Sequence, residues 1–147
     1  MNYYTIAEAD AYFATRVNSN LWTDSSNADK TKALTQATRI IDSLAYSGEQ
    51  TDSDQENEFP RGGDTTAPEK IGFACAEIAF ALLDDVDPEQ EFDNLRMVAQ
   101  GYANVRSTYD IKRVPLHTAA GVPSSTAWRY LSPYLADSRL INVNRAS

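Results

Sequence analysis

The sequence predicts a mainly α-helical protein, a small bundle of about four helices that forms a single domain over residues 1–147. Apolar residues recur at three- and four-residue spacing in several stretches, and helix-capping residues precede those stretches. A composition of 42% hydrophobic and 23% charged residues suits one core of ordinary globular type. We expect the helical core over residues 5–85 and 124–136, a hairpin or loop insertion over 94–123, and an extended C-terminal tail over 137–147.

The first two helices have the clearest signals. Thr5 and Glu8 have the spacing of a capping box, which predicts a helix over about residues 6–16. The second helix is predicted over about residues 27–46, because its apolar residues lie on one face. That face consists of Ala33, Leu34, Ala37, Ile40, Ile41 and Leu44. Gly48 could end this helix by adopting a positive φ.

Two aromatic residues are expected to anchor the segments beside the second helix. Trp22 precedes the cap residues of that helix and is expected to pack against it. Residues 50–58 are too polar and acidic to bury surface, which predicts a mobile surface loop. Phe59 follows this loop and could anchor its end to the core.

The third helix is predicted from Pro68 to about residue 83, since proline fits the first turn of a helix. It carries two apolar stripes on different sides, and only Glu77 interrupts them in the middle. A helix that is apolar nearly all round lies either centrally in its own bundle or against another subunit. Both interpretations stay open, and the candidates for a subunit interface are Phe73, Glu77, Phe80 and Leu83.

The chain beyond residue 94 has a different character. Residues 95–109 are rich in Val, Tyr and Thr, which favours a β-hairpin, with a helix over 93–98 as the competing interpretation. The hairpin candidates are Tyr102, Val105, Arg106 and Tyr109. Residues 110–123 contain two prolines and a glycine and predict an irregular connection. Ser124 or Ser125 can cap a last short helix.

The charge of the chain is strongly acidic and uneven. The net charge is −8, and residues 49–58 and 84–93 together hold eleven acids and no Lys or Arg. Such runs are usually solvated loops, although they could also form a surface that repels nucleic acid. The aromatic residues of the N-terminal part could stack on single-stranded bases, but core packing explains them with fewer assumptions because few cations are near. These aromatic residues are Tyr3, Tyr4, Tyr12, Phe13 and Trp22, and the nearest cations are Arg16, Lys30 and Lys32.

The sequence offers little for catalysis, and we expect no enzyme, no metal site and no cofactor. A zinc site needs several His or Cys ligands, whereas this chain has only His117 and Cys75. The apolar neighbours of Cys75 indicate a packed side chain, and His117 lies in a turn-rich stretch. Neither acidic run has the EF-hand spacing, and no glycine motif for phosphate binding is present. No stretch approaches the roughly 20 apolar residues of a membrane span, and no secretion signal is recognisable.

Several short blocks, in this order, resemble a family of phage proteins labelled DnaT-like single-stranded-DNA-binding proteins and, more loosely, the head-to-tail connector adaptors of long-tailed phages. The blocks are YTIAEADAYF (4–13), Trp22, ALTQATRIID (33–42), FPR (59–61), ACAEIA (74–79) and LSPYL (131–135). Phe59 stands where the family often has Trp, and residues 87–113 match no part of the pattern.

The adaptor resemblance implies a structural virion protein without cofactor or catalytic residue. It implies a homo-oligomeric ring, commonly of twelve copies, that joins the portal protein to a tail or stopper protein at the head-tail junction. Genomic DNA would pass through this ring without specific binding, no membrane is involved, and assembly would take place in the host cytoplasm. A C-terminal segment would dock on the portal, and the hairpin would face the tail. The portal-docking candidates are Arg139, Leu140, Ile141, Val143 and Arg145, although a frayed end is the simpler interpretation of this tail.

Two other functions remain open. The first alternative is a single-stranded-DNA-binding replication accessory protein, as the family label says, although the acidic balance of the chain argues against it. The second is a small regulatory or other virion protein that shares the bundle, because a fold does not determine a function.

Overall fold

The computed structural model describes residues 1–94 and 115–136, and it confirms the mainly helical class. The helices are α1 (Ile6–Ala14), α2 (Asn20–Asp24), α3 (Asn27–Asp42), α4 (Glu69–Leu83), α5 (Leu116–Ala119) and α6 (Ser125–Leu131). Residues 88–94 are also helical, and α6 continues into a 3-10 turn over Ser132–Tyr134. Within these described ranges there is no sheet, only two isolated antiparallel bridges, Tyr46 with Leu135 and Gln50 with Arg61.

The N-terminal cap of α1 is the one that the sequence predicts. The Glu8 amide donates to the Thr5 hydroxyl at 3.2 Å, and the Thr5 amide donates to the Glu8 carboxylate at 2.8 Å. The helix ends at Ala14, before the predicted residue 16. The turn that follows contains Asn18 in the left-handed region at φ 56°, where an asparagine is tolerated.

Helix α2 was not predicted, because five residues are too few for a periodic pattern. Its Trp22 is 1% exposed and stacks on Phe13 of α1, with 4.9 Å between the ring centres. The Lys30 ammonium of α3 lies 5.1 Å from the centre of the Trp22 ring. Trp22 therefore contacts the following helix, as expected, while its main aromatic partner belongs to the preceding one.

Helix α3 presents its predicted apolar face to the core, where Ala33, Leu34, Ala37 and Ile41 are buried. It ends at Asp42 and not at residue 46, so Gly48 does not terminate it, although Gly48 does have φ +75°. Tyr46 lies beyond the end of the helix and is buried, and its hydroxyl donates to the Ile41 carbonyl at 2.7 Å.

Helix α4 is the centre of the molecule. Its most extensive contacts are with α3 and α6, and Ile71, Ala74, Cys75 and Ile78 are fully buried. At Gly72 the Tyr4 ring lies so close to the backbone that a Cβ would meet it at 2.1 Å. The N-terminal segment can therefore lie against α4 only because this position has no side chain.

The acidic loop before α4 is more constrained than the predicted mobile loop. Phe59 is 5% exposed and contacts the rings of Tyr3, Tyr46 and Tyr134, so it anchors the loop as expected. The Arg61 guanidinium donates to the Ser47, Gly48 and Glu58 carbonyls and to the Glu58 carboxylate. These contacts close the loop at its base.

The chain after residue 115 is more regular than predicted. Residues 116–119 form α5 where the sequence indicated an irregular connection inside a hairpin or loop insertion. Thr118 and Val122 are buried, so this part packs on the bundle as core. The Ser124 hydroxyl accepts from the Ala127 amide at 3.1 Å, which confirms Ser124 as the cap of the last helix. The predicted hairpin over 95–109 and the tail over 137–147 lie outside the described residues.

Candidate functional site

The N-terminal aromatic residues, the candidates for base stacking, are engaged in the core. Phe13 and Trp22 are 3% and 1% exposed. The Trp22 indole donates at 2.7 Å to the Asp10 carboxylate, which the Lys30 ammonium also approaches at 3.5 Å. Buried rings with satisfied polar atoms cannot stack on a nucleic acid without unfolding part of the bundle. Core packing is therefore the role that these two rings have.

Tyr3 is fixed in the same manner beside the end of α3. Its hydroxyl donates to the Asp42 carboxylate and accepts from the Phe59 amide at 3.1 Å, and the same carboxylate accepts from the Glu58 amide at 3.0 Å. Burial, and then the hydrogen bond to Asp42, raise the pKa of Tyr3 above its ordinary value. This arrangement ties the N-terminal segment, α3 and the loop together.

A buried carboxylate lies at the junction of α1 and α4. Glu77 is 4% exposed and accepts from the Tyr12 hydroxyl at 2.8 Å and from Arg16 Nε at 2.7 Å. The Arg16 guanidinium also lies 4.3 Å from the centre of the Phe80 ring. Burial, followed by the hydrogen bonds with Tyr130 and Glu77, raises the pKa of Tyr12. The carboxylate is thus paired and hydrogen-bonded, which is what permits its burial.

The four subunit-interface candidates can now be located. Glu77 is buried within its own chain, while Phe73, Phe80 and Leu83 are half-buried. Phe73 contacts the rings of Tyr4, Tyr12 and Tyr130, and Phe80 contacts Phe13. Of the two interpretations of α4, its position in the centre of its own bundle is the one that the contacts support. A contact of its half-buried stripe with another subunit stays a prediction.

The described part of the chain carries far more negative than positive charge. Residues 1–94 and 115–136 hold nineteen Asp and Glu against seven Lys and Arg. Arg16, Lys30 and Arg61 are engaged in ion pairs. The exposed cations are Lys32, Arg39, Lys70 and Arg129, which are distributed over α3, α4 and α6. The excess of acids over these cations disfavours phosphate binding by the described residues.

Cys75 and His117 both have local partners. Burial raises the pKa of the Cys75 thiol to about 11, so it is a packed thiol and not a reactive thiolate. The His117 ring lies in α5, with Nδ1 2.8 Å from the Val122 carbonyl. Among the described residues, no group of three His, Cys, Asp or Glu side chains could hold a metal ion. Nor does any helix there have the length and hydropathy for a membrane span.

The remaining candidates lie outside the described residues. These are the hairpin candidates Tyr102, Val105, Arg106 and Tyr109 and the portal-docking candidates Arg139, Leu140, Ile141, Val143 and Arg145. The polar contacts of Asp10, Asp42 and Glu77 were not predicted. The one signal in the sequence was a charged residue inside an apolar block, as for Glu77 in ACAEIA.

Comparison with known proteins gives one match. A family model described as "Putative DnaT-like ssDNA binding protein" matches residues 2–135. No curated protein and no solved structure matches the chain. The match favours the single-stranded-DNA-binding alternative over the adaptor interpretation.

Proposed function

The chain belongs to the DnaT-like single-stranded-DNA-binding family, and from that premise we propose that it binds single-stranded DNA as a replication accessory protein. The family match over residues 2–135 is the observation that carries the proposal. The description of the family names single-stranded DNA, and the distribution of charge along this chain indicates where such a ligand would bind.

Residues 95–114 are the segment best suited to phosphates. They contain Arg96, Arg106, Lys112 and Arg113 against the single acid Asp110. Tyr102 and Tyr109 lie in the same stretch, and aromatic rings beside cations are what single-stranded nucleic acid requires. The helical body, with its excess of acids, would repel the same ligand. DNA binding is therefore assigned to residues 95–114 and not to the bundle.

The proposal is tested by fluorescence anisotropy with a labelled oligothymidine over a series of salt concentrations. Wild-type protein should bind with an affinity that falls steeply with salt. The triple variant R106A/K112A/R113A should reduce the slope of log K against log salt by about 2, since each phosphate contact on a single strand contributes about 0.7.

A charge-matched control is available in the triple variant K32A/R39A/K70A, which removes three exposed cations from α3 and α4. Its affinity and salt slope should be close to those of the wild type. No binding by wild-type protein at low salt, or equal losses in the two triple variants, would refute the proposal.

A second candidate, the structural adaptor of a phage head-to-tail connector, is favoured by the acidity of the described body. The described body holds nineteen acids, and its stacking candidates Phe13 and Trp22 are buried. Both features suit a channel protein that lets DNA pass without binding it. In this role the chain would form a ring on a portal, with the half-buried stripe of Phe73, Phe80 and Leu83 as a contact between copies. Localisation at the head-tail junction of the virion belongs to this candidate.

The adaptor candidate predicts a different outcome in a different assay. The purified protein, mixed with a portal, should form rings that negative-stain electron microscopy reveals, and the protein should be present in purified phage necks. Absence from mature particles, together with salt-dependent oligonucleotide binding, would leave only the first candidate.

A further inference from the structure

A groove lies between α3, the end of α4, residues 87–92 and the turn that follows α5. It encloses about 460 Å³, within the range of about 300–1,000 Å³ that is typical of small-molecule sites. The apolar part of its lining consists of Ile40, Leu82, Pro88, Phe92, Ala119 and Ala120. The groove is therefore large enough for one flat ring, and it has apolar walls for the faces of that ring.

The lining also contains a buried hydroxyl without a partner. Thr118 is 4% exposed, and its hydroxyl forms no hydrogen bond with any other residue of the described ranges. A buried polar group is nearly always hydrogen-bonded, because leaving it unpaired is costly. The side-chain amide of Gln36, which is exposed on α3, has no such bond within these ranges either. Both groups are available to a ligand in the groove.

The charge of the groove is negative. Asp87 and Glu89 are the charged residues among its described lining, which contains no Lys or Arg. One oxygen of Asp87 accepts from the Glu89 and Gln90 amides at 3.0 and 3.3 Å, so the chain itself uses it. The Glu89 side chain is exposed and makes no hydrogen bond or ion pair with another described residue. Such a lining repels phosphate and favours a ligand that donates N–H hydrogen bonds.

The groove lies at both ends of the segment to which DNA binding is assigned. Residues 87–92 form one wall and precede residues 95–114, while residues 118–121 form another wall and follow them. A strand whose phosphates bind that segment would have its bases close to the groove. The repulsion that keeps phosphates away from the bundle does not act on a neutral base.

The four bases differ in what they offer this lining. Adenine and cytosine carry an exocyclic amine that donates, whereas thymine has an acceptor oxygen at the corresponding position. Gln pairs well with adenine, and Glu accepts from the cytosine amine. We propose that the groove binds one adenine or cytosine of the strand, with its ring between the apolar walls and its amine donating to acceptors among Gln36, Glu89 and Thr118. This inference rests on the proposed function for its ligand and adds a preference for amino-bearing bases.

The first test compares oligodeoxycytidine with oligothymidine of equal length by fluorescence anisotropy at one salt concentration. Wild-type protein should bind oligodeoxycytidine about tenfold more tightly. The double variant T118V/E89A should lose this preference, while its affinity for oligothymidine stays close to that of the wild type. The matched control T126V/E91A changes an exposed threonine and an exposed glutamate outside the groove, and it should keep the preference.

Stability separates a ligand contact from a structural role of the hydroxyl. Thr118→Val keeps the volume of the side chain and removes a hydroxyl that has no partner in the described chain, so its Tm should equal or exceed that of the wild type. A clearly lower Tm would mean that the hydroxyl serves the fold, and it would overturn the assignment of Thr118 to the ligand.

The second test uses free nucleosides, which carry no phosphate. Saturation-transfer NMR should detect binding of 2′-deoxycytidine to the wild type and to T126V/E91A, a much weaker signal with T118V/E89A, and little signal with thymidine. Equal affinity for the two oligonucleotides, or a preference that survives in T118V/E89A, would overturn the groove while leaving the proposed function intact. If neither oligonucleotide binds, the proposed function fails, and the absence of a 2′-deoxycytidine signal would then overturn the groove as well.

Discussion

Removing Arg16 should destabilise the protein much more than removing an exposed arginine. The Arg16→Ala variant leaves the Glu77 carboxylate, which is 4% exposed, with the Tyr12 hydroxyl as its remaining donor among the contacts described. Breaking a buried ion pair by removing one partner costs about 3–5 kcal/mol. Because the Arg16 side chain is 29% exposed and water can enter in its place, we expect a loss of about 2–3 kcal/mol.

Chemical and thermal denaturation, followed by circular dichroism, measure this loss directly. A decrease of about 2–3 kcal/mol corresponds to a Tm about 5–10 °C lower for a chain of this length. Glu77→Gln keeps an acceptor for Tyr12 and should cost about 1–2 kcal/mol. The double variant should lose less than the sum of the single variants, with a coupling energy of about 1–2 kcal/mol.

The matched control is Arg39→Ala, the same substitution at an exposed position of α3, which should change stability by less than about 0.5 kcal/mol. If Arg16→Ala is as mild as this control, or if the double variant is additive, then Glu77 behaves as a solvated surface carboxylate and our description of the pair is wrong.

Three further outcomes are expected. Gly72→Ala should lower stability by about 1–3 kcal/mol through the clash with the Tyr4 ring, and the same change in a Tyr4→Ala background should cost little, as urea denaturation can measure. Burial raises the pKa of the Cys75 thiol from its ordinary 9.0 to about 11, so the contribution of the protonated thiol to stability is complete below pH 9 and is lost as the pH rises towards 11. The fall of Tm over that interval should be shallower in Cys75→Ala than in the wild type. Asp10→Ala leaves the buried Trp22 indole without its acceptor and should cost about 1–2 kcal/mol, with a shift in Trp fluorescence.

The sequence predicted the elements that depend on local rules. The Thr5 and Glu8 box, the apolar face of α3 and the Ser124 cap all involve residues at most a few turns apart, so their spacing is visible in the chain. Helices α2 and α5 were not predicted, because segments of five and four residues are too short to show a helical periodicity in the sequence.

The polar contacts of the candidate site could not be predicted, because their partners are distant in sequence. Arg16 and Glu77 are 61 residues apart, and Tyr3 and Asp42 are 39 apart. Spacing rules relate neighbours along one element, and they say nothing of which two elements will meet. In the structure, these side chains form contacts that hold the bundle together, although from the sequence alone they could have been taken for functional groups.

The same contacts explain why the family resemblance, although it extends over most of the chain, identifies few residues that could bind a ligand. The blocks at 4–13, 33–42 and 59–61 contain Tyr12, Asp42 and Arg61, all of which hold one element to another. A resemblance carried by such residues concerns the packing of the bundle more directly than its ligand. The proposed DNA contact lies instead in residues 95–114, which contain none of those blocks.

The contacts at the base of the acidic loop make its tip suitable for the insertion of a peptide. Arg61 and the bridge from Gln50 fix both ends of the loop, and residues 51–54 between them are exposed. A peptide epitope inserted after Ser53 would project away from the bundle without altering a core contact. Such a handle would let the protein be followed by antibody detection in cells.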